Sequence, residues 1–82
     1  MKWEKAIDIL ALLGLNHYTA KVEWREENKQ EKIKEGYDIF VEQNSFYEED
    51  TKFFNDLCAK FGLSYYIDCS EHNAYFWDNW EA

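Results

Sequence analysis

The stretch that decides the fold is residues 45–69, SFYEEDTKFFNDLCAKFGLSYYIDC. Within it, apolar side chains recur at the spacing that places them on one broad face of an α-helix: Phe53, Phe54, Leu57, Cys58 and Phe61. Ser45 followed by Glu48 matches a capping box, so the sequence predicts a helix that starts at Ser45, with Asp50 as the later alternative. Gly62 is placed to end this helix in a left-handed conformation.

A strand is predicted after Gly62, because the apolar period there changes from helical to two. Alternate side chains along a strand point to opposite faces of a sheet. One face carries the set Leu63, Tyr65, Ile67 and Cys69, and the other carries Ser64, Tyr66, Asp68 and Ser70. The unit around which the chain is organised is therefore a helix, a glycine and a strand.

The rest of the chain supplies a second helix and three more strands. Before the central unit, the patterns predict a helix at residues 3–13, a strand at 18–24, a polar hairpin loop at 26–32 and a strand at 33–41. After it, they predict a turn at residues 70–73 and a last strand at 74–77. Gly14 is predicted to end the first helix and Gly36 to mark a bulge. Residues 78–82 form an acidic, aromatic tail.

These elements predict one α+β domain over residues 1–82 with the order α-β-β-α-β-β. Two hairpins most simply form one four-stranded antiparallel sheet with both helices packed on one face. Residues 13–18 resemble residues 61–66, since each segment joins a helix to a strand through a glycine. This pattern fits an internal repeat of a helix–hairpin unit, and it fits equally well two independent helix ends that use the same glycine chemistry.

Composition places the chain among small folded proteins. A single domain of 82 residues has a modest core, and the six Phe, six Tyr and four Trp supply most of it. The N-terminal segment lacks the pattern of a secretory signal, and no stretch approaches the ~20 apolar residues of a membrane span. Two cysteines without a dense framework fit a reducing compartment, so a cytoplasmic location is expected.

The charge is strongly acidic and unevenly distributed. The formal net charge is −8, yet residues 1–34 hold seven Lys or Arg against six acids. Residues 35–82 hold only Lys52 and Lys60 against eleven acids, together with thirteen of the sixteen aromatics. Such a field repels nucleic-acid phosphates and anionic membranes. Neither direct nucleic-acid binding nor membrane binding is therefore expected. The same field attracts basic protein surfaces.

The acidic second part carries the candidate binding surface. Acids lie on the solvent-facing parity of the strands and on the second helix. Neighbouring same-face positions on a strand are ~6.8 Å apart, which is comparable to the spacing of neighbouring phosphates on a nucleic-acid backbone. These acids could therefore occupy the subsites that a basic groove offers to phosphates. Phe40, Tyr66 and one of the two pairs in the last strand, Tyr75 with Trp77 or Ala74 with Phe76, cannot all face a one-sided core, so exposed aromatics would serve as anchors. The predicted partner-binding residues are Asp38, Phe40, Glu42, Glu48, Glu49, Asp50, Asp56, Tyr66, Asp68, Glu71, Trp77, Asp78 and Trp80. The competing interpretation is that the acids only keep a small protein soluble.

The cysteines and histidines do not predict a metal or catalytic site. Cys69 and His72 have the spacing of half a zinc site, which Cys58 and His17 would have to complete. Both cysteines lie on predicted apolar faces, so core thiols are the expected role. The chain has no phosphate loop, nucleophile elbow or zinc-protease motif. No cofactor, metal or catalytic residue is therefore predicted.

In size and charge the chain is similar to the small acidic inhibitors that phages and mobile elements make against nucleases, such as anti-CRISPR and anti-restriction proteins. It is similar in the same way to immunity proteins that neutralise nuclease toxins. The likeness implies a non-enzymatic inhibitor of a basic nucleic-acid-handling protein, a CRISPR effector or another nuclease, acting as a monomer or homodimer. The alternative is a structural or regulatory module that dimerises through exposed aromatics or a sheet edge.

Overall fold

The computed structural model describes residues 1–79, so Trp80 and the rest of the predicted tail lie outside the described residues. Six elements follow one another along the chain: α1 (Trp3–Leu15), β1 (Thr19–Arg25), β2 (Gly36–Glu42), α2 (Glu48–Phe61), β3 (Leu63–Asp68) and β4 (Asn73–Asp78). The strands form one antiparallel sheet in the order β1-β2-β4-β3. The predicted α+β fold and its element order are confirmed.

Both helices pack on the same face of this sheet. In the central β2–β4 pair, Ile39 lies opposite Phe76 and Val41 opposite Ala74, and none of these four side chains is exposed to solvent. The helices contribute the other half of the core, with α1 providing Ala6, Ile9 and Leu13 and α2 providing Phe54, Leu57 and Cys58. No helix in residues 1–79 has the length and apolar character needed to span a bilayer.

Phe54 is the side chain that joins α2 to the rest of the core. It is fully buried, and its ring meets the ring of Phe76 edge-on with 5.0 Å between centroids. The ring of Tyr65 in β3 also meets the Phe54 ring edge-on, with 5.8 Å between centroids, and the ring centroid of Tyr18, just before β1, lies 5.4 Å from that of Phe54. Offset and edge-on ring pairs stabilise a core beyond the area that they bury.

The two helices end by different chemistry, which corrects the role predicted for Gly14. α1 continues through Gly14 to Leu15, and the left-handed residue after it is His17, with φ of 68°. The amides of His17 and Tyr18 donate to the carbonyls of Gly14 and Leu13, both at 3.0 Å. These bonds satisfy the last carbonyls of the helix without a glycine. Gly62, by contrast, adopts φ of 67° directly after α2, as predicted.

Gly36 has a different reason to be glycine than the predicted bulge. The pairing of β1 with β2 is continuous up to Arg25 opposite Gly36, so β2 contains no bulge. A Cβ atom at Gly36 would lie 2.8 Å from the nitrogen of Met1. The Met1 amino group and carbonyl exchange hydrogen bonds with the backbone of Tyr37 at 2.7 and 2.8 Å. The absence of a side chain lets this terminal residue join the sheet.

α2 starts at Glu48 rather than at Ser45. Tyr47 is the N-cap residue, and its backbone amide donates to the carboxylate of Asp50 at 2.8 Å. The acid that organises the helix start is therefore Asp50, not Glu48. Ser45 lies outside the helix, and its carbonyl accepts a hydrogen bond from the side chain of Gln43.

The contrast between the two glycines predicts opposite effects of the same substitution. Gly62→Ala forces a side chain into a left-handed conformation and should lower the free energy of unfolding by about 1–2 kcal/mol. Gly14→Ala replaces a helical glycine where a Cβ would meet no atom within 4 Å. It should raise the free energy of unfolding by roughly 0.5–1 kcal/mol. Urea unfolding followed by tryptophan fluorescence measures both, and a loss of stability in the Gly14 variant would contradict the helical assignment.

Candidate protein-binding surface

The sheet face opposite the helices carries a cluster of four aromatic rings. Phe40 of β2, Tyr66 of β3, and Tyr75 and Trp77 of β4 alternate with the buried core residues and therefore point away from the helices. Tyr75 lies at the centre, with ring centroids 5.5 Å from Phe40, 5.8 Å from Tyr66 and 5.1 Å from Trp77. We call these four residues the aromatic cluster and this side of the sheet the open face.

Neither helix covers the aromatic cluster. Tyr66 is 53% exposed, whereas the other three rings are half-buried, with Tyr75 in contact with all of them. At one end of the cluster, Ile33 from the β1–β2 loop and Trp77 line a pocket of about 280 Å³. Rings that are ordered by one another but still reach solvent are typical of an interaction surface.

Ion pairs flank the aromatic cluster on the β1 side. The guanidinium of Arg25 binds the carboxylate of Asp38 across the β1–β2 pair. Lys21 lies 3.0 Å from Glu42 and 3.5 Å from Glu23. Burial raises the pKa of Asp38, although the pairing with Arg25 acts in the opposite direction. Lys21 and Arg25, the cations at open-face positions of the four described strands, are therefore both engaged by carboxylates of the same chain.

A second group of acids lies where the sheet ends near the start of α2. Glu42 and Glu71 line one cleft of about 440 Å³, and Glu49 lines the neighbouring one. Asp68, at the end of β3, accepts hydrogen bonds from the hydroxyl and amide of Ser70 and from the amide of Glu71, and the Ser70 hydroxyl contributes most to lowering its pKa. In the described part of the chain, no lysine or arginine lines either of these two clefts.

The structure brings together only part of the predicted binding set. Six of the predicted residues lie on the open face or at its margin: Asp38, Phe40, Glu42, Tyr66, Asp68 and Trp77. Glu71 is in the turn beside them, and Glu49 lines the neighbouring cleft at the start of α2, whereas Glu48 and Asp56 belong to α2 and line neither cleft. The analysis of the sequence did not choose Tyr75, because it left open which pair of β4 side chains faces outward. Strand register resolves this question.

Two predicted binding acids have structural partners inside the molecule instead. Asp78 has the parity of the helix face and contacts the ammonium of Lys5 and, at 3.5 Å, the amino group of Met1. Asp50 is buried, with 6% of its surface exposed. Its carboxylate accepts hydrogen bonds from the hydroxyl of Tyr18 at 2.6 Å and from the amide of Gln43 at 2.9 Å. Asp50 therefore links the start of α2 to the residue before β1 and to the residue after β2.

The Asp50 network also shifts the acidity of its members. Burial opposes the charge of Asp50, but hydrogen bonds from Tyr18, Tyr47 and Gln43 outweigh it and lower the pKa of this carboxyl. Burial, followed by the hydrogen bond to Asp50, raises the pKa of Tyr18 well above its ordinary value. Tyr18 and Asp50 are 32 positions apart in sequence, so the hydrogen bond between them holds the connection between α1 and β1 against α2.

The two cysteines differ in their surroundings. Cys58 is buried against the sheet, as predicted, and burial raises the pKa of its thiol to about 11. Cys69 is exposed, so its predicted core role is wrong: β3 ends at Asp68, and the alternation of faces stops there. His72 adopts a left-handed conformation in the same turn, and its ring contacts the carbonyl of Asn44. Within residues 1–79, no three His, Cys, Asp or Glu side chains group as metal ligands.

Comparisons of this chain with protein-family models, with curated proteins and with solved structures find no match.

Substitution of Asp50 should make the stability less dependent on pH. The pKa of Asp50 is lower in the folded protein than in the unfolded chain, so its charged form contributes stability above about pH 4 and loses this contribution as the pH falls through the folded pKa. Asp50→Asn should cost about 1–3 kcal/mol near neutral pH, because it removes charge-assisted hydrogen bonds inside the protein.

Urea unfolding of the wild type and Asp50→Asn between about pH 7 and pH 2.5 tests this expectation. The difference between the two proteins should narrow in acid. Asp56→Asn, on the exposed side of α2, is the matched control and should behave like the wild type. If the difference in the free energy of unfolding stayed constant over this pH range, the charge of the Asp50 carboxylate would not be the source of the stabilisation.

Thiol reagents should separate the two cysteines. One equivalent of Ellman's reagent should react promptly at Cys69, while Cys58 should react only as the protein unfolds, because it is buried and its thiol is rarely ionised. Cys69→Ser should abolish the prompt phase, and Cys58→Ala should leave it unchanged. Prompt reaction of both thiols in the folded protein would contradict the packing of α2 on the sheet.

Proposed function

We propose that this protein is a non-enzymatic inhibitor that binds a basic surface of a nucleic-acid-handling protein, a CRISPR effector or another nuclease. The observation that carries the proposal is the aromatic cluster on a sheet face without helical cover, in a chain whose net charge is −8. The partner contacts the open face and the acids at the end of the sheet near α2.

A protein partner suits this surface better than a nucleic acid does. Aromatic side chains on an open sheet face stack nucleic-acid bases in several RNA-binding folds, but those surfaces also hold the phosphates with lysine and arginine. Here Lys21 and Arg25, the cations of the open face, are paired with Glu42, Glu23 and Asp38. The face therefore offers stacking without positive charge, which favours a basic, amphipathic partner.

The rings and the acids have separate roles in the proposed complex. Tyr and Trp bury large, rigid areas at low entropic cost, so Tyr66, Tyr75 and Trp77 serve as the desolvated anchors. Glu42 and Glu71, which line one cleft, face partner lysines or arginines that otherwise hold phosphates. Glu42 exchanges its contact with Lys21 for the partner's cation, and Lys21 keeps its contact with Glu23. Occupation of such subsites blocks nucleic-acid binding by competition, and no catalytic group is required.

Salt should weaken the complex, and charge reversal at the proposed contact should weaken it further. The chain serves as immobilised bait for a lysate rich in nucleic-acid enzymes, and bound proteins are eluted by a sodium chloride gradient from ~0.05 to 1 M. We expect a basic protein that is released at moderate salt and displaced by duplex DNA or guide RNA. Its affinity should fall by about tenfold or more for Glu42→Lys combined with Glu71→Lys.

The matched control is Asp8→Lys combined with Glu27→Lys, which changes the net charge equally at exposed positions on α1 and the β1–β2 loop. This control should reduce binding only slightly. Trp77→Ala tests the aromatic anchor, with circular dichroism to verify that the variant is folded. Equal loss of binding in both charge variants would mean that only the overall charge matters. Retention of the partner near 1 M salt would contradict the proposal that carboxylates occupy its phosphate subsites.

A further inference from the structure

The two edges of the sheet differ in how they are protected against pairing. β1 and β3 are the outer strands. β1 carries Lys21, Glu23 and Arg25 in alternation, and charged side chains on an edge strand discourage another strand from adding to it. β3 has the sequence LSYYID, with Asp68 at its end as its one charge and no proline. Its ladder with β4 runs without a bulge from Leu63 to Asp68.

The hydrogen bonding of β4 identifies which groups of β3 face outward. The amide of Asn79 donates to the carbonyl of Gly62 at 3.0 Å, in register with the β3–β4 ladder. Because hydrogen-bonded and non-bonded pairs alternate in an antiparallel ladder, the even-numbered residues of β3 bond to β4. The amides and carbonyls of Leu63, Tyr65 and Ile67 therefore point to the outer edge. In the described part of the chain, no further strand pairs with them.

We propose that β3 pairs with β3 of a second copy of this chain, antiparallel about a two-fold axis at Tyr66. The pairing joins two sheets into one of eight strands, with the four helices on one side and two aromatic clusters on the other. It adds a self-association surface to the proposed partner contact and does not depend on it.

The register follows from the positions of the outward groups. Hydrogen-bonded pairs must form between odd-numbered residues, so Tyr65 pairs with Ile67 of the second copy, an aromatic with a β-branched residue. Tyr66 then lies opposite Tyr66 of the second copy at a non-bonded position, where the Cα atoms are ~4.5 Å apart. Ser64 lies opposite Asp68 of the second copy, so a hydroxyl rather than a second carboxylate faces this acid.

A second copy fits this edge better than a basic strand does. A two-fold pairing matches β3, whose one charge is Asp68 at its end, with itself and extends the aromatic cluster from Tyr66 of one copy to Tyr66 of the other. A basic strand would find only Asp68 as a complementary charge along β3. Since each copy carries a net charge of −8, added salt should strengthen the dimer by screening their repulsion. Salt should weaken the complex with a basic partner.

Sedimentation velocity at ~0.05 and ~0.5 M sodium chloride tests the dimer. We expect a monomer–dimer equilibrium that shifts toward the dimer at the higher salt. Tyr66→Lys places two lysines opposite each other and should raise the dissociation constant by about tenfold. Thr19→Lys makes the same charge change on β1 and should not weaken the dimer. A wild type that stays monomeric at both salt concentrations would overturn the proposal, as would equal effects of the two lysines.

Disulfide trapping tests the register independently, in a Cys69→Ser background. Tyr66→Cys should give a covalent dimer under mild oxidation, because the predicted Cα separation of ~4.5 Å lies within the range of disulfides. Ser64→Cys should not, because the two copies of this residue lie ~13 Å apart in the proposed register. Failure of Tyr66→Cys to form the dimer, or equally rapid cross-linking of both variants, would overturn the proposed pairing.

Discussion

Two helices cover only one face of this sheet, and the rest of the structure depends on that limit. Every second residue of the four strands points away from the helices. The core face uses Ile39, Val41, Ala74 and Phe76, without solvent exposure. On the opposite face the strands must provide their own cover, and they do so with rings around Tyr75 and with ion pairs on β1 and β2. The surface proposed for binding is thus held in place by the sheet itself.

The net charge overstates the acidity that a partner would meet. Asp50 is enclosed by Tyr18, Gln43 and Tyr47, and Asp78 contacts Lys5 and the Met1 amino group. These acids stabilise the junctions between helices and sheet. Glu42, Glu49 and Glu71 line clefts near the start of α2 in which no described residue is a lysine or arginine, so the electrostatic field has a direction that the sum of charges does not show.

The sequence was sufficient to predict what depends on local periodicity. The change of period at Gly62 predicted α2, β3 and the helix end between them, and the alternation in β2 correctly placed Phe40 away from the core. Contacts between distant segments could not be predicted in this way. Asp50 was taken as a surface acid because its main partner, Tyr18, lies 32 residues earlier. Cys69 was misplaced because a period of two says nothing about where a strand stops. Which pair of β4 side chains faces outward became known only from the register with β2.

The aromatic cluster and the β3 edge meet at Tyr66, and this makes the two proposed surfaces compatible rather than exclusive. Pairing through β3 uses backbone groups of Leu63, Tyr65 and Ile67, which no open-face contact requires. It covers the edge of Tyr66 but leaves Phe40, Tyr75 and Trp77 facing solvent, since these lie on β2 and β4, inward from that edge. The cleft with Glu42 and Glu71 is formed with β1, β2 and the β3–β4 turn. A dimer would therefore present two such surfaces side by side on one continuous face, and a partner with two basic sites at matching spacing would bind it more tightly than it binds a monomer.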